Sequence, residues 1–447
     1  MPINFIRNKQ NISIPLILFL IIFLFGVWSS PGLIPKMSPD SHGYVSMAND
    51  FKTPISEERP FFFPLIIRFC MELSGQHWEE TFSIIQICFH AIISIWLFFL
   101  FREFQIKKFV AFILTLIIGF NPSLLFYSTY LLADHLLAVL TTLSWIFTIR
   151  FIKKYYNQQK FHIDLIFIGI FSGLAIVTKP QSMLSVFPLI GAFIFASKKS
   201  IKMIKPIILL LIINFSFHLL WEKYKLYNNP STSFELFDHI EFPINMTAIR
   251  GGLVDYGEGT PFYELLEKRK LLPAARQLKI KLSYTMDQDP NFSKLYEELR
   301  GDWDTKNDKE FAKQILAHAP AKLFIYSISN WHAFFTKRCF GPGDGSFPGM
   351  PEMIRRFYVV SYALLYRPLL IILLLMSFII LWKKKLLALL ISSGGIILYA
   401  SLTIAIFSAH GGEFPRYRVW FEYIMWFCAL IPVGYVIQFL FEKLKRE

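Results

Sequence analysis

The chain has 447 residues, of which 54% are hydrophobic and 17% aromatic, and Phe alone appears 48 times. The apolar residues come in long blocks, which excludes a soluble globular domain and points to a polytopic membrane protein. The formal charge of +14 does not point to nucleic acid, because the cations sit in short clusters between apolar blocks, the positive-inside pattern.

A hydrocarbon core takes roughly 20 helical residues. On that measure the sequence predicts ten spans, with cores at Ile12–Trp28, Thr81–Phe101, Phe109–Phe126, Leu131–Ile149, Ile163–Thr178, Met183–Ala196, Pro206–Trp221, Val359–Trp382, Leu386–Phe407 and Val419–Phe441. The first run follows Arg7 and Lys9 but has no small-residue cleavage site, so it reads as a retained helix. With the N-terminus cytoplasmic, the inner connections hold Arg102/Lys107/Lys108, Arg150/Lys153/Lys154/Lys160, Lys198/Lys199/Lys202/Lys205, Lys383/Lys384/Lys385 and Lys443/Lys445/Arg446. Every alternate connection is basic, which puts both termini inside. The four cysteines, Cys70, Cys88, Cys339 and Cys428, are scattered. They suggest neither a disulfide framework nor metal spacing.

Between the first two spans lies an outer loop, residues 29–80. It opens with Ser38-Pro-Asp-Ser-His-Gly-Tyr44, where Pro39 and Gly43 predict a turn that gathers an acid, an imidazole and a phenol. Further on, Arg59–Arg68 is apolar but short and interrupted by Pro60 and Pro64, so it reads as a helix lying in the outer interface. Residues 222–354 carry 18 of the 32 acids and read as a small extracytoplasmic domain. Helices are predicted there over Leu265–Lys281 and Lys309–Ile325, with a turn-rich loop at Arg338–Gly345. The expected organisation is seven spans in 1–221, the aqueous domain in 222–354, and three spans in 355–447.

Four outer features carry chemical groups. They are Asp40 with His42 and Tyr44; Asp134 with His135 at the head of the fourth span; Lys179 after the fifth; and His410, Glu413, Arg416, Tyr417 and Arg418 before the last. Each has an ordinary reading. Asp134 can be a helix-start acid favoured by the macrodipole, Lys179 a snorkelling lysine, and residues 38–44 a polar loop. Yet an ionised Asp in an apolar helix is costly without water or a partner. Two arginines at an outer edge also oppose the positive-inside bias. Arginine's planar fork suits phosphate oxygens, and lysine supplies a point charge. A carboxylate can act as general base for a hydroxyl. Together these groups suit displacement of a lipid-linked phosphate by a hydroxyl. A membrane-anchored donor also solves the lack of nucleotide-activated sugar outside the cell.

The chain resembles the GT-C fold glycosyltransferases, in the branch of protein O-mannosyltransferases and lipid A aminoarabinose transferases. The resemblance rests on Asp40-Ser-His-Gly-Tyr44, Arg59-Pro60-Phe-Phe-Phe-Pro64, Asp134, Gly173-Leu-Ala-Ile-Val-Thr178-Lys179 and Arg416-Tyr417-Arg418, in order from Asp40 to Pro432. It departs from the mannosyltransferases in having Ser41 where they have a second acid, and from the aminoarabinose transferases in being shorter. The resemblance implies an all-α, GT-C-like polytopic fold in a bacterial inner membrane. It implies transfer of a sugar from a polyprenyl-phosphate donor to a hydroxyl of a cell-envelope glycan, lipid or protein, on the extracytoplasmic face and with inversion. Asp40 would be the base, and Asp134 would orient the acceptor or assist through water or metal. Arg59, Lys179, Arg416 and Arg418 would hold the phosphate, supported by His42, Tyr44, His135, His410, Glu413 and Tyr417. A divalent metal bridging the histidines stays open. The expected partners are the donor, the acceptor and membrane lipids, with no nucleic acid. The competing readings are a lipid-glycan transporter or flippase, an O-antigen polymerase or ligase using a diphosphate donor, and a structural assembly partner. A transporter would set its ionisable groups mid-membrane and show inverted repeats.

Overall fold

The computed structural model describes residues 13–50, 60–159, 162–179, 182, 185–196, 204–228, 241–279, 290–299, 305–328, 331–336, 347–366, 368–383, 386–407 and 413–444. Among these residues the chain is helical, with a single isolated β-bridge. It divides into two compact units, 1–233 with 340–398 and 419–447, and 234–339 with 399–418.

The first unit begins with α1 (Ser13–Ser29), α2 (Pro39–Asn49), α3 (Phe62–Ser74), α4 (Trp78–Glu103), α5 (Lys108–Gly119) and α6 (Pro122–Ser128). It continues with α7 (Ala133–Tyr156), α8 (His162–Ile176), α9 (Val186–Ala196) and α10 (Ile204–Asn228). The second unit holds α11 (Glu241–Arg250), α12 (Pro261–Lys268), α13 (Leu272–Gln277), α14 (Pro290–Leu299), α15 (Thr305–His318), α16 (Pro320–Ile328) and α17 (Trp331–Thr336). Then come α18 (Glu352–Leu365), α19 (Pro368–Lys383), α20 (Leu387–Phe407) and α21 (Glu413–Leu444).

Four stretches, containing α4, α7, α10 and α21, are long and apolar enough to cross a membrane. The bent pairs α5–α6 and α18–α19 raise that to six. The other predicted spans fall on the shorter apolar helices α1, α8, α9 and α20. α7 is the most enclosed, with 83% of its apolar stretch buried against 22% for α10.

Several local predictions are corrected. Residues 39–44 form the start of α2 and not a turn. Ser38 caps the helix and exchanges hydrogen bonds with Ser41, and Pro39 occupies the first helical position, where its missing N–H costs nothing. The interfacial segment is α3, which begins at Phe62 and runs to Ser74. Pro64 falls in its first turn, where proline is tolerated. Its buried residues Phe63, Ile67 and Cys70 follow helical spacing, while Leu65, Phe69 and Leu73 are exposed. Helical hydrogen bonding runs from Phe62 to Glu103, but this is not one rod. The Phe63 ring lies 5.7 Å from that of Phe82, whereas a straight helix would separate them by about 28 Å. The chain turns back at Gly75–His77, where Gly75 has φ +56°.

The predicted third span is broken. α5 and α6 meet at 53° across Phe120-Asn121-Pro122. A break at membrane depth frees backbone groups that need partners. The Ile117 carbonyl accepts from the Tyr362 hydroxyl at 2.7 Å and that of Phe120 from Tyr358 at 2.6 Å. The Gly119 carbonyl meets His90 Nε2 at 2.8 Å. Asn121 Oδ1 accepts from the amides of Ser123 and Leu124 at the start of α6. At the other end of α7 the buried Asp164 accepts from Lys154 and lies 3.4 Å from Arg150. Part of that basic cluster is therefore neutralised.

In the second unit the predicted helix 265–281 is two, α12 and α13, separated by a turn in which Lys270 has φ +58°. The predicted helix 309–325 is split at Pro320, which cannot donate within a helix. Phe262, Leu266, Leu295, Phe311 and Ile315 form part of this unit's own core. The predicted loop Arg338–Gly345 lies outside the described residues.

The orientation expected from the charge pattern can be tested at the exposed Ile34 and Gln159. In a variant lacking the native cysteines, Ile34→Cys should react with an impermeant thiol reagent in intact spheroplasts. Gln159→Cys should react only after lysis. The reverse pattern would invert the topology.

Candidate functional site

The segment between α1 and α4 is fastened to the start of α7 and the end of α8. Lys36 N–H donates to the Thr129 carbonyl at 2.8 Å, and Leu131 N–H donates to the Lys36 carbonyl at 2.9 Å. Ser41 Oγ donates to the Leu131 carbonyl at 2.8 Å. These bonds tie the first turn of α2, which carries Asp40, to the segment three residues before Asp134. At the start of α3, Phe62 N–H donates to the Val177 carbonyl at 3.2 Å, two residues before Lys179. Met47, Val177 and Trp221 pack together there with Phe61 and Phe62.

Asp134 is 0% exposed. Its Oδ1 accepts from Lys179 Nζ at 2.8 Å and from Trp420 Nε1 at 2.7 Å. The Lys179 ammonium also lies 4.9 Å from the centroid of the Trp420 ring. One indole thus serves both ions: its N–H on the carboxylate and its π-face on the ammonium. Desolvating two charges costs several kcal/mol per ion, so each keeps its charge only while the other stays. The two residues are 45 apart in sequence, and the structure joins them.

Asp40 lies half-buried in the first turn of α2. Four residues on, Tyr44 is buried with its ring 4.9 Å from Phe63, edge to face. His42 is exposed, and two residues of helix turn it about 200° away from Asp40. The helix thus sets His42 and Asp40 on different faces, where a turn would have gathered them. His135 is fully buried with both ring nitrogens engaged, one by Gln86 and one by Tyr423. It is not placed to bridge a metal with the exposed His42. Among the described residues no cluster of three His, Cys, Asp or Glu could hold one.

Arg416, Tyr417 and Arg418 fall on the second unit's part of α21. Arg416 stacks 5.7 Å from the Tyr417 ring. Arg418 is fully buried and donates to the Phe334 carbonyl at 2.7 Å. Arg59 and His410 lie outside the described residues, as does the side chain of Glu413.

Sequence reasoning missed Trp420, Tyr423, Glu422, His90 and Gln86, all buried. A signal existed. Gln86 and His90 are polar residues inside an apolar span, and the indole N–H of Trp420 needs an acceptor when buried. The Tyr366 hydroxyl, 3.1 Å from Glu422 Oε2 and 3.0 Å from Asn121 Oδ1, joins that acid to the broken span.

Residues 58–221, which contain Asp134 and Lys179, match the family described as dolichyl-phosphate-mannose-protein mannosyltransferase. The match covers less than half of the chain and includes the buried pair. No curated protein sequence matches it. The solved structures it resembles include two of ArnT from Cupriavidus metallidurans, in the apo state and bound to undecaprenyl phosphate. Sequence identities are 12% and 10%, coverage is 90% and 96% of this chain and 77% and 78% of those, and TM-scores are 0.38 and 0.40.

The buried pair makes a quantitative expectation. Lys179→Met strands the Asp134 charge and should destabilise the detergent-solubilised protein by about 3–5 kcal/mol. Adding Asp134→Asn should restore more than half of that loss. A single-variant cost below about 1 kcal/mol, the scale of an exposed pair, would show that the pair is solvated.

Proposed function

We propose that this protein is a glycosyltransferase that moves a sugar from a polyprenyl-phosphate donor to a hydroxyl acceptor, with inversion, at the extracytoplasmic face of a bacterial inner membrane. The observation that carries this reading is the buried Asp134–Lys179 pair beside the helix bearing Asp40. Both members of the pair lie in the stretch that matches a family described by a sugar on a lipid monophosphate.

In the proposed reaction the acceptor oxygen attacks the anomeric carbon while its proton passes to Asp40. The bond between that carbon and the phosphate oxygen breaks on the opposite face, which inverts the centre. The lipid phosphate leaves with one more negative charge. Asp40, half-buried at a helix start, is the more accessible carboxylate and takes the base role. Asp134, held by Lys179 and Trp420, keeps its charge and orients the acceptor. Lys179, an ammonium with three donors, is also proposed as a cation for a phosphate oxygen. The sequence resemblance adds Arg59, Arg416 and Arg418 as candidate cations for the leaving phosphate.

The donor decides between this reading and a polymerase or ligase. Purified protein is incubated with labelled polyprenyl-monophosphate sugars, the matching diphosphates and membrane acceptors. Transfer is expected from a monophosphate donor alone, with release of polyprenyl phosphate. Transfer from the diphosphate, or from neither, would overturn the proposal.

A further inference from the structure

Four buried polar side chains that the transfer chemistry does not use form a line in the first unit. Gln86 and His90 come from α4, His135 from α7 and Tyr423 from α21. Gln86 Oε1 lies 2.6 Å from His135 Nδ1, and His135 Nε2 lies 3.1 Å from the Tyr423 hydroxyl. That hydroxyl lies 2.6 Å from His90 Nδ1, and His90 Nε2 lies 2.8 Å from the Gly119 carbonyl at the broken span.

The proton positions follow from one end. A carbonyl only accepts, so His90 Nε2 carries a hydrogen and donates to Gly119. In a neutral ring His90 Nδ1 then accepts, so the Tyr423 hydroxyl donates to it. A phenol has one proton, so the contact with His135 must be donated by His135 Nε2. His135 Nδ1, in a neutral ring, then accepts, and Gln86 must turn its amide N–H₂ toward it. Amide oxygen and nitrogen exchange by a half rotation. As placed, Gln86 Nε2 has no hydrogen-bond partner among the described residues, and the rotation provides one. Every other pattern puts a second proton on His135 or on His90, an imidazolium fully buried in an apolar bundle, which is costly.

We propose that this chain is neutral and runs one way, from Gln86 through His135, Tyr423 and His90 to Gly119, making Tyr423 the positioning residue that registers α21 on α7. Trp420, three residues before Tyr423, donates to Asp134, which directly precedes His135. α21 therefore grips α7 at two adjacent points. A slide of one turn, about 5.4 Å, breaks both. The consequence for catalysis, that Tyr423 sets the height of Asp134, rests on the transfer reading above; the proton pattern does not.

The test is nitrogen-15 NMR of the histidine-labelled full chain in lipid nanodiscs, with turnover measured in parallel. His90 and His135 should both be neutral near pH 7, with the proton on Nε2. Gln86→Glu, whose carboxylate only accepts, should add a second proton to His135. Tyr423→Phe should lower turnover about tenfold, the scale of one buried hydrogen bond, at unchanged donor KM. Trp420→Phe in that background should add less than its effect alone, because both act on one register. A doubly protonated His135 in the unaltered protein, or Gln86→Glu leaving its signals unchanged, overturns the chain. Unchanged turnover in Tyr423→Phe overturns the positioning role. If the unaltered protein transfers no sugar, the histidine signals still decide the proton pattern.

Discussion

A carboxylate and an ammonium share one buried site, and much of the candidate site is arranged around that fact. Asp134 sits at the head of the most enclosed helix and cannot be hydrated there. Lys179 arrives from the end of α8, and Trp420 from α21 places its indole N–H on the same oxygen that Lys179 bonds. Three elements distant in sequence are thereby held at one point. Burial makes such a pair a poor source of net stability and a strong constraint on geometry, because losing either ion strands the other. The first outer loop is tied to the same end through Lys36, Ser41 and Phe62. The first turn of α2, which carries Asp40, is thus held to the segment before α7 by these bonds and not left as a free loop.

The bundle meets a second constraint a few residues further along α21. Breaking the α5–α6 span at Asn121-Pro122 frees carbonyls that lipid cannot hydrate. Tyr358 and Tyr362 from α18 and His90 from α4 supply the missing donors. His90 then connects through Tyr423 to His135, next to Asp134. The broken span and the buried ion pair are two ends of one polar seam along α7 and α21. That seam makes a helix register sharp, since each contact is between side chains only one hydrogen bond long.

What could be read in the sequence was whatever depends on composition or on single residues. Apolar length placed an apolar helix at each predicted span. Chemistry alone singled out Asp134 and Lys179 as charges that an apolar surrounding must explain. Their pairing could not be read, because no local pattern links residues 45 apart. Residues 38–44 were ambiguous: Ser-Pro-Asp-Ser is a turn sequence and also a helix cap, and only the bond from Ser41 to Leu131 decides for the helix. Pro64 misled for a similar reason, since proline breaks a helix in its middle but not in its first turn. Trp420 and Tyr423 were invisible because aromatic residues in an apolar span look like lipid-facing bulk until a buried acceptor is seen beside them.

The account stands most directly on Asp40 as the base. Asn keeps the size of the side chain and much of its hydrogen bonding, but it cannot take the acceptor's proton. The decisive measurement is single-turnover transfer by Asp40→Asn with the lipid donor already bound. The account requires donor binding close to that of the unaltered protein and a loss of turnover on the order of 10²–10⁴, the usual worth of a general base. Retention of more than about a third of the turnover, far above what loss of a base permits, would contradict it and move the role to Asp134.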